Sequence, residues 1–127
     1  MPQIILTLSN NIDITQIDFT SLFVLIHDEL KNVPGLDVTT CNSGVVQESF
    51  SYIGLGNEKL TKAFLEIRWM DTEERRQVKS QIAAKLMVVL ETELVPQIEE
   101  QHLICIPRVR IGDLGKLGVE YFISQAP

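Results

Sequence analysis

Pro2-Gln3-Ile4-Ile5-Leu6-Thr7-Leu8 sets a proline directly against a β-prone run, and Ser9-Asn10-Asn11 closes that run. Isoleucine, leucine and threonine suit a pleated, buried ribbon, and the polar cluster after them reads as a turn. Nearly every residue from 4 to 8 is apolar, as in a strand covered on both faces in the middle of a sheet. Proline at the first position of a strand costs little, because its missing N–H need not join a ladder. It also has a chemical property. If Met1 is removed, the Pro2 nitrogen is a secondary amine rather than an amide. An amine anchored at the start of a buried strand can act as a general base near neutral pH.

Beyond this strand the spacing of apolar residues changes. Phe19, Leu22, Phe23, Ile26 and Leu30 recur at steps of three and four, one face of a helix. Asp18 is the N-cap, and Pro34-Gly35 marks the exit. His27 and Asp28 lie beside the stripe. No second histidine sits at metal-ligand spacing from His27, which reads as a boundary residue. Residues 36–40 read as a second extended run and Cys41-Asn42-Ser43-Gly44 as a turn or bulge. Residues 45–53 alternate as a strand, with Val46, Glu48, Phe50 and Tyr52 on one side. Gly54-Leu55-Gly56-Asn57 is a turn that completes neither phosphate-loop pattern.

The second half repeats the plan. Residues 63–70 are a strand. Thr72 then caps a long helix whose first turn carries Glu73 and Glu74, as the helix dipole favours. Val78, Ile82, Leu86, Val89, Leu90 and Leu94 form its buried stripe. Arg75, Arg76, Lys79 and Lys85 lie off it. Pro96 is expected to end the helix near Leu94. Leu103-Ile104-Cys105-Ile106 starts another strand, with Pro107 at an edge or bulge. Val109 and Ile111 continue it, with Arg108 and Arg110 on the other face. After Gly112, Gly115 and Gly118, residues 119–123 read as a last short strand or an arm onto a neighbouring molecule.

Strand–helix–strand therefore occurs twice, with the halves meeting near Gly56. The expected class is α+β: two β-α-β repeats forming one mixed four-stranded sheet with two helices on one face. The uncovered face must pack against something, so a homo-oligomer is expected.

Composition narrows the partners. The 127 residues fit a single domain spanning 1–127, and 45% hydrophobic content is enough for one core. A formal charge of −6 disfavours nucleic acid and anionic membrane as partners. Cys41 and Cys105 are far apart and form no CxxC motif, so buried thiols in a reducing compartment are expected rather than a disulfide or zinc framework. The early polar residues Asn10, Asn11 and Asp13 argue against a signal peptide, and no apolar run nears the ~20 residues of a membrane span. A cytoplasmic protein is expected.

These stretches resemble a family. Pro2-Gln3-Ile4-Ile5-Leu6, Leu8-Ser9-Asn10-Asn11-Ile12, Asp18-Phe19-Thr20-Ser21-Leu22-Phe23 and Ala63-Phe64-Leu65-Glu66-Ile67 are similar to the tautomerase superfamily. Within it they are closest to the 5-carboxymethyl-2-hydroxymuconate isomerase group. The resemblance covers most of the chain and is weakest after Pro107. It implies a homotrimer with three inward-facing sheets, no cofactor, a small keto or enol acid as substrate, and a place in aromatic compound catabolism. It implies that Pro2 shuttles a proton between substrate carbons. Arg75 and Arg76, at the junction of third strand and second helix, are the implied catalytic cations. Arg68 and Trp69 are the candidate substrate-binding residues, Trp69 as a wall of the pocket or else as a core or subunit-interface group, and Arg108 and Arg110 are further candidates. The chain departs from the group in having no arginine between Lys31 and Lys59, where the resemblance places one after the first helix. The alternative expectation is a non-catalytic homotrimer of the same fold, serving as a binding or scaffolding protein.

Overall fold

The strand at the start is β1, Gln3–Leu8, and it lies inside the sheet. The structure is a computed structural model that describes residues 2–113. Ile4, Leu6 and Leu8 are fully buried against the helices, while Ile5 is 38% exposed on the opposite face. The helix α1, Phe19–Leu30, starts where the Asp18 carboxylate accepts from the Ser21 N–H at 3.0 Å. This bond and the Ser21 hydroxyl hold the Asp18 carboxyl below the usual carboxylate range. Leu22, Ile26 and Leu30 pack on the sheet.

The next segment corrects two expectations. Residues 36–40 do not form an extended run. The Asp37 carboxylate accepts from the Thr39 N–H and Oγ1 at 3.0 and 2.6 Å, and so starts a 3-10 turn, Val38–Thr40. Nor is Cys41-Asn42-Ser43-Gly44 a turn, because β2, Asn42–Gln47, runs through it parallel to β1. The pairing partner decides here, not the polar composition. β2 also stops earlier than residue 53. Glu48 N–H still donates to Leu8 O at 2.9 Å, but β1 ends there and offers no further backbone to pair with. The chain then turns through Gly54 and Gly56, both at positive φ.

β3, Leu60–Trp69, runs antiparallel to β1 and parallel to β4, Ile104–Asp113, giving the order β2-β1-β3-β4. Thr72 caps α2, Glu73–Val89, by accepting from Arg75 N–H. The helix does not end near Leu94. A π-helical turn, Leu90–Leu94, leads into α3, Val95–Glu99, with Pro96 in its first turn. In the widened turn Val95 N–H reaches Leu90 O, so the prolyl ring is accommodated without stopping the rod. Pro107 sits on the edge strand as expected. Ile104 N–H points inward to Lys59 O, so by alternation the N–H missing at Pro107 would face out of the sheet. The short strand or arm expected at 119–123 lies outside the described residues.

Both helical layers cover one face. Ile82, Leu86, Leu90, Leu94 and Ile98 meet Ala63, Leu65, Ile67 and Trp69, all fully or nearly fully buried. The opposite face is open: Val46, Ile104 and Ile106 are each about half exposed. Among the described residues no helix is long and apolar enough to cross a membrane.

Candidate active site at the head of β1

Pro2 is buried, and its carbonyl accepts from Asn42 N–H at 3.3 Å, which ties it to the start of β2. Two steps before Ile4 on an alternating strand, it shares the helix-facing side. Gln3 is in register with Arg68, so Pro2 continues toward Trp69 at the end of β3. One end of the sheet thus gathers Pro2, Cys41, Trp69, Met70 and the first turn of α2.

Arg75 rises from that turn. Its Nε donates to Pro34 O at 2.9 Å and its Nη1 to Met70 O at 2.8 Å. The guanidinium therefore joins the exit of α1, the end of β3 and the start of α2. Two of its three nitrogens are committed to backbone, which makes it a positioning group first. Arg76 Nε pairs with Asp71 Oδ2 at 2.8 Å, and its Nη1 lies 3.6 Å from Glu73. Arg68 lies on the open face, paired with Glu66 at 2.8 Å. Trp69 is placed differently from Arg68. It is fully buried on the helix-facing side, and its indole is a core group. The structure therefore brings Pro2, Trp69 and Arg75 to one end of the sheet. It holds Arg76 in an acidic clasp and sets Arg68 on the other face.

Sequence reasoning gave Asp71 no role in the site. One of its oxygens, Oδ1, is buried without a hydrogen-bond partner among the described residues, as is Trp69 Nε1. An acid directly before the Thr72 N-cap, at the end of a strand, was the available signal. His27, half-buried, is hydrogen-bonded through Nε2 to Ser43 Oγ across the α1–β2 seam. Burial pushes the thiols of Cys41 and Cys105 up from their ordinary value, so both stay protonated at neutral pH. Among the described residues no cluster of histidine, cysteine and carboxylate side chains has the makings of a metal site.

No family model matches the sequence, and no curated protein matches it. Solved structures do share the fold. The 5-carboxymethyl-2-hydroxymuconate isomerase of Deinococcus radiodurans R1 is similar at a TM-score of 0.75, over 97% of this chain and 90% of its own, with 15% identity. A macrophage migration inhibitory factor-like protein of Entamoeba histolytica reaches 0.61 over 97% and 96%, with 17% identity. A protein inactivated by 2-oxo-3-pentynoate reaches 0.61 over 94% and 91%, with 14% identity. The fold implied by the opening stretch, that of the tautomerase superfamily, is the fold of this chain.

Proposed function

We propose that this chain, with Met1 removed, is a keto–enol isomerase of small carboxylic acids in which Pro2 is the general base. The observation that carries the reading is a buried proline at the head of a central strand, in a fold whose solved neighbours include isomerases. A free α-amine titrates near pH 8 (about 7.7–8.0) and burial penalises its ammonium form, so the prolyl nitrogen is poised to accept a proton near neutrality. It takes a proton from the carbon α to a carbonyl and returns it to another carbon of the same conjugated system. The electron pair of the broken C–H bond is held meanwhile as an enolate, which needs a cation or donors.

Arg75 is the cation at that end of the sheet, through its Nη2. Arg76 and Arg68 contribute only where a substrate carboxylate displaces Asp71 or Glu66. A 2-hydroxymuconate-like or 2-keto acid fits this chemistry. The open sheet face, with Ile5, Val46, Ile104 and Ile106, supports self-association, and the resemblance makes that assembly a homotrimer.

A second reading is a non-catalytic homotrimer that binds or scaffolds. The occupation of Arg75 by two carbonyls, and of Arg76 and Arg68 by carboxylates, favours it. Ketonisation of phenylenolpyruvate and of 2-hydroxymuconate separates the two. The isomerase accelerates at least one of them over buffer, and a form that retains Met1 does not. Rates equal to buffer with Met1 absent reject the isomerase and leave the scaffold.

A further inference from the structure

α1 and β2 meet along a groove of about 700 Å³, with Phe19, Phe23, Val24, His27, Cys41 and Ser43 in its walls. The groove is not part of the open sheet face. Ser43 stands in register with Ile4, which packs under the helices, so its side chain lies on the helical side. In an assembly whose sheets face inward the helices are the outer layer. Self-association through the open face therefore leaves the groove uncovered.

Within it, His27 Nε2 and Ser43 Oγ are hydrogen-bonded at 2.5 Å. One group is carried on a helix and the other on a strand, so neither depends on a loop for its place. A hydroxyl in reach of an imidazole is a nucleophile beside its base. In the tautomer with its proton on Nδ1, Nε2 is free to accept the Ser43 proton. β2 supplies a donor as well. It is the outer strand and pairs along one edge. Asn42 N–H donates to Pro2 O and Glu48 N–H to Leu8 O, so the even-numbered residues face β1. By alternation Ser43 N–H points out from the other edge, beside its own Oγ. There it can hold charge that develops on a carbonyl oxygen. The walls indicate which carbonyl. Phe19, Phe23 and Val24 are apolar, and Lys31, which also lines the groove, is 3.3 Å from Asp28. A neutral ligand suits such walls better than an acid.

We propose that Ser43 and His27 are a nucleophile and base that hydrolyse small uncharged esters through an acyl group on Ser43. Oγ bonds to the ester carbon as Nε2 takes its proton, and the carbonyl π pair moves to oxygen. As the carbonyl re-forms, the C–O bond to the alcohol breaks, and the alcohol leaves with that proton. Water then attacks the acyl carbon and gives a proton to Nε2. The acid leaves as this proton returns to Oγ. No step uses Pro2.

Hydrolysis of p-nitrophenyl acetate by the full-length protein, followed by nitrophenolate release and peptide mapping, tests this. Release faster than in buffer is expected, with an acetyl group on Ser43. Ser43→Ala and His27→Gln each lower the enzymic rate by about 100-fold, with unchanged circular dichroism. Cys41→Ala retains the rate. Diisopropyl fluorophosphate labels Ser43 of the wild type: its phosphorus bonds to Oγ, and fluoride leaves with the hydroxyl proton. The proposal is overturned by a rate equal to buffer, by an unchanged rate in Ser43→Ala or His27→Gln, or by acetyl found only on Pro2, cysteine or lysine. If either variant unfolds, the wild type decides, and the absence of fluorophosphate label on Ser43 overturns the proposal.

Discussion

Trp69→Ala is expected to lower the free energy of unfolding by about 3–5 kcal/mol, the range for deleting a buried large aromatic. The side chain is fully buried at the end of β3, where β1, β3 and α2 meet, and the neighbouring backbone is hydrogen-bonded on either side. The cavity therefore has little freedom to collapse. Trp69→Phe should cost much less. It leaves a smaller void and removes Nε1, a buried donor with no partner among the described residues. An unmet buried donor costs about 1–3 kcal/mol, which offsets part of the lost packing. Urea unfolding followed by far-ultraviolet circular dichroism measures both variants. A Trp69→Ala midpoint within error of the wild type contradicts the burial. Trp69 is the only tryptophan in the chain, so the emission of the intact protein should be that of an indole in an apolar site.

Pro2→Ala is expected to reduce the kcat for ketonisation by about 100-fold or more, the scale of losing a positioned general base. Met1 removal from the variant leaves a primary amine on a freely rotating backbone in place of a ring fixed at the strand head. The lone pair is retained and its aim is lost. KM should change far less than kcat, because the nitrogen acts on the proton in flight and not on the substrate's carboxylate. Secondary structure should be unaffected, since the Asn42 N–H can still donate to the carbonyl of residue 2. A variant with the wild-type kcat removes Pro2 from the chemistry.

The parts of this fold that can be read in the sequence are those set by local physics. Asp18 and Thr72 cap helices because a side-chain oxygen three residues from an amide is a local fact. The stripe Ile82, Leu86, Leu90 and Leu94 announces a buried face by spacing alone. Long-range geometry is where the reading stopped. Nothing in Cys41-Asn42-Ser43-Gly44 says strand until β1 lies beside it. Pro96 reads as a terminator until a π-turn three-dimensionally accommodates it. The site divides in the same way. Pro2 stands out at the head of a strand. That Arg75 spends two nitrogens on Pro34 and Met70 carbonyls depends on three elements meeting, which no window of sequence contains. Strand alternation separates Arg68 from Trp69, but only the placement of the helices says which of the two is buried.

The central claim is that the Pro2 nitrogen is a free, reactive amine. Treatment of the native protein with 2-oxo-3-pentynoate, which inactivates one of the fold's solved neighbours, tests it by intact mass and peptide mapping. The nitrogen lone pair bonds to the alkyne carbon β to the ketone, and the proton it carried passes to the α carbon. Cys41 and Cys105 compete poorly, because burial keeps both thiols protonated. The predicted product is a chain lacking Met1 with a single adduct on Pro2. A chain that retains Met1, or one that carries adducts only on cysteine, contradicts the account.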